Sequence, residues 1–230
     1  MYISGKVSDK SFKEKEELRM EMIKVHSKLD PKVVMKIIQG HFATSHSHIN
    51  YYIDLTTLKA RQNEAEAAAA LMARDYEATT VIDTIVCMEG CEIIGAYLAQ
   101  ELTKGGVLSV NQHQTIYIMT PEINVNGQLI FRDNMQPMIR GKHVLLLLAN
   151  VTTGQTLNQS LECLQYYGAN VVGISAIFSA ITSARMLKVN SVFNEKDIPD
   201  YKTFDPRNCP VCQQGKKIDA IVNGYGYSEI

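Results

Sequence analysis

Three apolar runs frame the chain. Residues 81–88 (VIDTIVCM), 143–150 (HVLLLLAN) and 170–178 (NVVGISAIF) are rich in Val, Ile and Leu and end at turn residues, the pattern of strands covered on both faces. The first two are each followed by a tight turn and a helix-forming segment, EIIGAYLAQELTK (92–104) and TLNQSLECLQYYG (156–168). Repeated strand–turn–helix units predict an α/β fold built on a doubly wound, mostly parallel sheet. Residues 61–77 (RQNEAEAAAALMARDYE), rich in alanine and free of Gly and Pro, predict the best-formed helix of the chain.

Towards the N-terminus, Leu18, Met22, Ile23 and Val25 are spaced among charged residues in 9–29 as in an amphipathic helix, which Asp30-Pro31 would stop. PKVVMKIIQ (31–39) reads as a second helix with Pro31 in its first turn, ended by Gly40. A polar, histidine-rich loop then leads into β-prone Tyr51, Tyr52, Ile53 and Leu55. Residues 107–142 read as strands around a turn at Asn126-Gly127, a hairpin projecting from the sheet. After residue 193 periodicity fades, and an appendage or dimer arm is expected.

The chain has 230 residues, enough for one large α/β domain with additions. With 23 Lys and Arg against 24 Asp and Glu there is no broad electrostatic attraction for nucleic acid or an anionic membrane, so an anionic ligand must be held locally. The apolar runs are too short to span a bilayer, and residues 1–17 carry no signal-peptide core; a cytoplasmic protein is expected. Five cysteines, an odd number, suit reduced thiols rather than a disulfide framework.

In open parallel sheets ligands sit beyond the carboxyl ends of the strands, so loops 88–92, 119–127 and 149–156 are expected to share a crevice. Thr152, Thr153, Gly154, Gln155 and Thr156 lie between a strand and a helix N-terminus, where free N–H groups, the helix dipole and three hydroxyls can surround a phosphate. The alternative is an ordinary turn in which Thr156 caps the helix. The lysine of a Walker loop is absent. His41, His46 and His48 crowd one loop, but no second cluster at ligand spacing accompanies them, and a hydrogen-bonding surface is the commoner use. Cys209-Pro210-Val211-Cys212 supplies only two ligands, so a tetrahedral zinc site would need distant histidines or a second chain. Packed thiols and no metal site are therefore expected, and Cys87 and Cys91 have no assignable base that would make them nucleophiles.

Taken together, these segments resemble the type I phosphoribosyltransferases, most closely the orotate branch, from about residue 40 to 215. GHFATSHSHINYYIDL (40–55) is similar to the family's base-side segment, TIVCMEGCEIIGAYLA to its pyrophosphate loop and helix, CPVCQQG to the CPLCxxG of several orotate enzymes, and HVLLLLANVTTGQTL to its signature strand and phosphate loop. The resemblance implies N-terminal helices and a base-side hood segment over 1–60, an α/β core over 61–193 and an appendage completing the hood over 194–230. It implies that Thr152 to Thr156 hold a 5′-phosphate, that Glu89, Gly90 and Cys91 face pyrophosphate, that His48 and Tyr52 face the base, and that a homodimer forms. An active member would use Mg²⁺ and phosphoribosyl pyrophosphate (PRPP) in pyrimidine nucleotide metabolism.

The match has losses. The signature strand of the family ends in two acidic residues that hold the ribose hydroxyls; here Leu148 and Ala149 stand in those places, and neither can accept a hydrogen bond through its side chain. The segment 119–128 has no cation and carries Glu122, with Arg132 the nearest positive charge. Glu89 and Glu92 flank Gly90, poor company for a diphosphate. Three readings stay open: a relative that binds a 5′-phosphorylated ribose or nucleotide without transferring it, an active phosphoribosyltransferase joining a pyrimidine such as orotate to PRPP, and a regulatory or structural dimer.

Overall fold

The computed structural model describes residues 21–76, 78–104, 109–112, 114–125 and 127–230. The described residues open with three antiparallel strands, β1 (Met22–His26), β2 (Val34–Ala43) and β3 (His48–Asp54), where the end of one helix and a second helix were expected. The helical reading fails because Val33, Met35 and Ile37 alternate with Lys32, Val34 and Lys36, a period of two, and β-branched side chains suit a pleated surface. Asp30-Pro31 is the hairpin turn: the Asp30 carboxylate accepts from the Lys32 N–H at 2.9 Å and the Ser27 N–H donates to the Val33 carbonyl at 2.9 Å. Gly40 ends no helix but lies within β2. The part of the expected first helix up to residue 20 falls outside the described residues.

Two helices follow, α1 (Thr56–Ala60) and α2 (Gln62–Ala73), the second buried along Ala65, Ala68, Ala69 and Met72 as its alanine content predicts. Next come β4 (Thr84–Cys87), α3 (Glu92–Lys104), β5 (Tyr117–Met119), β6 (Glu122–Ile123), β7 (Leu129–Ile130), β8 (His143–Val151), α4 (Gln155–Tyr166), β9 (Asn170–Ser179), β10 (Ser183–Ala184) and β11 (Leu187–Asn194). Strands β5, β4, β8, β9 and β11 lie side by side in that order and are parallel, with short β10 antiparallel to β11. In chain order these five parallel strands run 2-1-3-4-5, so the winding reverses between β4 and β8, where ligand crevices form in such sheets. The expected hairpin is present as the β6–β7 pair with Gly127 at φ +76°, a left-handed angle that suits glycine; Asn126 lies outside the described residues.

Residues after 193 do more than hang from the core. Strand β12 (Thr203–Phe204) pairs with β3, the short helix α5 (Pro210–Gln213) follows, and β13 (Ala220–Asn223) runs parallel to β2 with β14 (Gly226–Glu229) at its side. The two ends of the chain thus share a second sheet, β12-β3-β2-β13-β14, with β1 also on β2.

Side chains of β8 alternate between the two faces of the parallel sheet. Leu145, Leu147 and Ala149 enter a core with α2, α3 and the β2–β3 hairpin, while Val144, Leu146 and Leu148 enter the opposite core with Leu157, Leu161 and Leu164 of α4. Helices on both faces make the sheet doubly wound, as the apolar runs predicted. Among the described residues no helix is long and apolar enough to cross a membrane.

Candidate functional site

A cleft opens at the point where the winding reverses. It is lined by Glu89 after β4, by Ala149, Asn150 and Thr152 to Leu157 after β8, and, from the second sheet, by Thr44, Ser45, His46, Tyr52 and Val222 to Tyr225. Two of the three loops expected to converge do so. The described residues of the third do not line it: Thr120 donates to Glu92 at 3.0 Å, and Glu122 is engaged by Arg132 through two bonds of 2.7 and 2.6 Å. Arg132 is therefore committed outside the cleft.

All five residues of the candidate phosphate loop line the cleft. Gly154 is the N-cap of α4 at φ +78°, and no side chain caps that helix end. Thr156, the expected capping residue in the alternative reading, already lies inside the helix. The first N–H groups of α4 consequently have no side-chain partner, no acidic residue stands in the first turn, and the partial positive charge of the helix end meets the threonine hydroxyls.

The two positions that resemble the acidic pair point apart. Ala149 lines the cleft, whereas Leu148 is fully buried on the opposite face of the sheet. The polar group that follows them into the cleft is Asn150, whose Oδ1 is buried without a hydrogen-bond partner.

Glu89 enters the cleft from a left-handed backbone position, φ +57°, uncommon for a residue with a side chain. Its Oε2 accepts from the Asn150 N–H at 3.2 Å. Lys59, a cleft cation missed in the sequence because it lies on a separate helix, donates to the carbonyls of Glu89 (2.8 Å) and Gly224. Burial is the largest influence on the Glu89 carboxyl and pushes its pKa up, against the backbone N–H bond and the Lys59 charge. The Cys91 side chain is fully buried in the core and does not line the cleft; Gly90 shapes the turn at φ +78°.

On the expected base side, Tyr52 lines the cleft and burial raises its hydroxyl pKa to about 12, so it stays a neutral donor. His48 does not line the cleft; His46 does, from the same loop. His48 instead meets His41, Cys209 and Cys212, whose ligand atoms all lie within 4.8 Å of one another. The fold thus brings two histidines that are distant in sequence beside the CxxC.

Glu89→Gln should remove the carboxyl's charge while keeping an acceptor for the Asn150 N–H. Because the folded pKa is raised, the wild-type contribution to stability is complete at low pH and is lost as pH rises through that value. The Tm of the wild type should thus fall relative to the variant with rising pH, and parallel Tm curves would show that Glu89 carries no charge that matters.

The chain matches no protein-family model. It is similar to the orotate phosphoribosyltransferase of Desulforamulus reducens, 25% identical over 182 residues that cover 78% of this chain and 86% of that one. Its similarity to the orotate phosphoribosyltransferase of Thermotoga maritima is 33% over 75 residues, covering 33% of this chain and 39% of the relative. The solved orotate phosphoribosyltransferase of Aeropyrum pernix overlays at a TM-score of 0.49 and 18% identity, over 70% of this chain and 88% of that one, too loosely to support an argument. The chain is thus similar in sequence, over most of its length, to orotate phosphoribosyltransferases, and its parallel sheet carries a cleft that opens on the Thr152–Thr156 loop.

Proposed function

We propose that the cleft binds a 5′-phosphorylated ribose or nucleotide and that transfer from PRPP to a pyrimidine is lost or strongly reduced. The observation that carries this reading is the uncapped N-terminus of α4 behind Thr152 to Thr156, set beside a cleft wall that reads Ala149 and Asn150 rather than acids. The helix end and hydroxyls suit a phosphate. The unpartnered Asn150 Oδ1 suits a ribose hydroxyl, which would donate to it. A neutral amide cannot stabilise the positive charge that develops at the sugar as pyrophosphate leaves, and losses of this kind cost on the order of two orders of magnitude each.

Mg²⁺ prefers carboxylate and water oxygens. Glu89 is the one carboxylate lining the cleft among the described residues, and it already accepts the Asn150 N–H. Among the described residues, the side chains lining the cleft do not make a Mg²⁺ site of their own.

Two measurements test the reading together. Ribose 5-phosphate at about a hundred times its dissociation constant should stabilise the fold by roughly 2.7 kcal/mol, a rise of ~5 °C or more in Tm. A coupled assay for pyrophosphate release with orotate and other bases should stay at background. Robust turnover at ordinary enzyme concentration would establish the active reading instead, and the absence of any shift with 5′-phosphate compounds would favour a purely structural or regulatory role.

A further inference from the structure

We propose that His41, His48, Cys209 and Cys212 form a structural zinc site that pins the histidine-rich loop to the C-terminal segment. His41 Nε2 lies 3.2 Å from His48 Nδ1, 3.5 Å from Cys209 Sγ and 3.6 Å from Cys212 Sγ, and His48 Nδ1 lies 3.4 Å from Cys212 Sγ. With Zn–N near 2.0–2.1 Å and Zn–S near 2.3 Å, the edges of a tetrahedron are about 3.4 Å between nitrogens and about 3.6 Å between nitrogen and sulfur. Four of the six edges stand at the spacing that a single ion would impose, and the other two lie within 4.8 Å.

Hydrogen bonding alone accounts poorly for this convergence. His41 Nδ1 faces the carbonyl oxygens of Lys216 (3.2 Å) and Lys217 (3.0 Å), which can only accept, so the ring proton sits on Nδ1. Nε2 is then a bare lone pair, yet three potential ligand atoms crowd around it. One lone pair serves one S–H donor, whereas a cation at the centre satisfies all four groups at once. A ligand histidine whose other nitrogen donates to a backbone carbonyl is also the usual outer support of a zinc site.

The backbone is built to hold this arrangement. The β2–β3 register shifts between Gln39 and Phe42, a bulge that re-aims His41. Asp219 braces it, accepting from the His41 N–H at 2.6 Å through its carboxylate while its own N–H donates to the His41 carbonyl at 2.7 Å. Cys209 and Cys212 stand at the start and the exposed side of helix α5. His41, His48 and Cys209 are buried and Cys212 is exposed, which leaves an entry path for the ion. Two thiolates with two imidazoles suit zinc, and none of the four residues lines the cleft. The loop between the two histidines does line it, through Thr44, Ser45 and His46, so the ion would fix one wall of the cleft from behind.

The full chain, purified reduced and without chelator, should carry about one zinc per molecule. Cys212→Ser, at an exposed position, and the double variant Cys209→Ser/Cys212→Ser should lose the zinc, while Cys163→Ser, outside the cluster, should keep it. Co²⁺ added to stripped wild type should develop thiolate charge-transfer bands and the intense visible bands of a tetrahedral site, a readout that does not depend on any variant folding. Chelation should lower Tm in the wild type and leave the double variant unmoved. Failure of stripped wild type to bind Zn²⁺ or Co²⁺, a Cys209–Cys212 disulfide in the freshly purified protein, or unchanged zinc in the cysteine variants would overturn the assignment. Because the readouts are metal content and spectra, they are independent of whether the cleft binds a phosphate.

Discussion

Leu148→Glu, which would restore half of the family's acidic pair, should cost about 3–5 kcal/mol of stability because it leaves a carboxylate in an apolar interior with no partner. Leu148 is fully buried, packed in the cluster that contains Val86, Leu157, Leu161 and Ala176. In a chain of this size the loss corresponds to a fall of roughly 10 °C in Tm. Ala149→Asp, one residue on, should cost on the order of 1–2 kcal/mol, since Ala149 lines the cleft and an aspartate there can reach water. The contrast comes from strand geometry: successive side chains of β8 enter opposite cores, Leu148 away from the cleft and Ala149 on its side. Thermal and urea melts of the two single variants check it. Equal costs, or a Leu148→Glu variant as stable as the wild type, would mean that the strand end is not arranged as described.

The second large effect is expected at Gln155, the first residue of α4, exposed in the wall of the cleft. Gln155→Glu is nearly isosteric and places a negative charge at a helix N-terminus that now has none in its first turn. The unliganded protein should gain about 0.3–1 kcal/mol from the helix dipole. Phosphate binding should weaken by about two orders of magnitude, because like charges some 4 Å apart at an effective dielectric near 20 repel by about 4 kcal/mol, of which solvent screening removes a part. Opposite signs for stability and affinity separate this explanation from simple damage to the loop, which would lower both. Isothermal titration with ribose 5-phosphate, beside a melt of the free protein, gives the two numbers. Undiminished affinity would place the phosphate somewhere other than this helix end.

Much of the parallel sheet could be read in advance because its strands are buried on both faces. HVLLLLAN and NVVGISAIF have few alternatives because nearly every position is apolar over a short span, and the helix after HVLLLLAN begins at a clear turn. The N-terminal strands were misread because Val33 to Ile38 offers apolar residues at both helical and alternating spacing, and only pairing with β1 and β3 decides between them. The tail after residue 193 looked aperiodic because its strands are two to four residues long and gain their stability from a sheet edge contributed by the other end of the chain.

The candidate site divides the same way. Thr152 to Thr156 was legible as a candidate because its features are local: one strand end, one glycine at positive φ and one helix start, all consecutive in the chain. Lys59, the turn at Val222 to Tyr225 and the opposite facing of Leu148 and Ala149 were not, since each depends on where separate elements come to rest. His41 and His48 were visible as a histidine-rich loop and Cys209 with Cys212 as a CxxC, but the intervening chain hid their relation. The sequence by itself determined the sheet-forming runs, the helix after each of the first two and the loop at Thr152 to Thr156 between strand and helix, because hydrophobic period and turn chemistry act over a few residues. Only the tertiary structure decided which side chains share a cleft and which four share a point, because contacts between residues more than 160 positions apart depend on sheet pairing rather than on any local pattern.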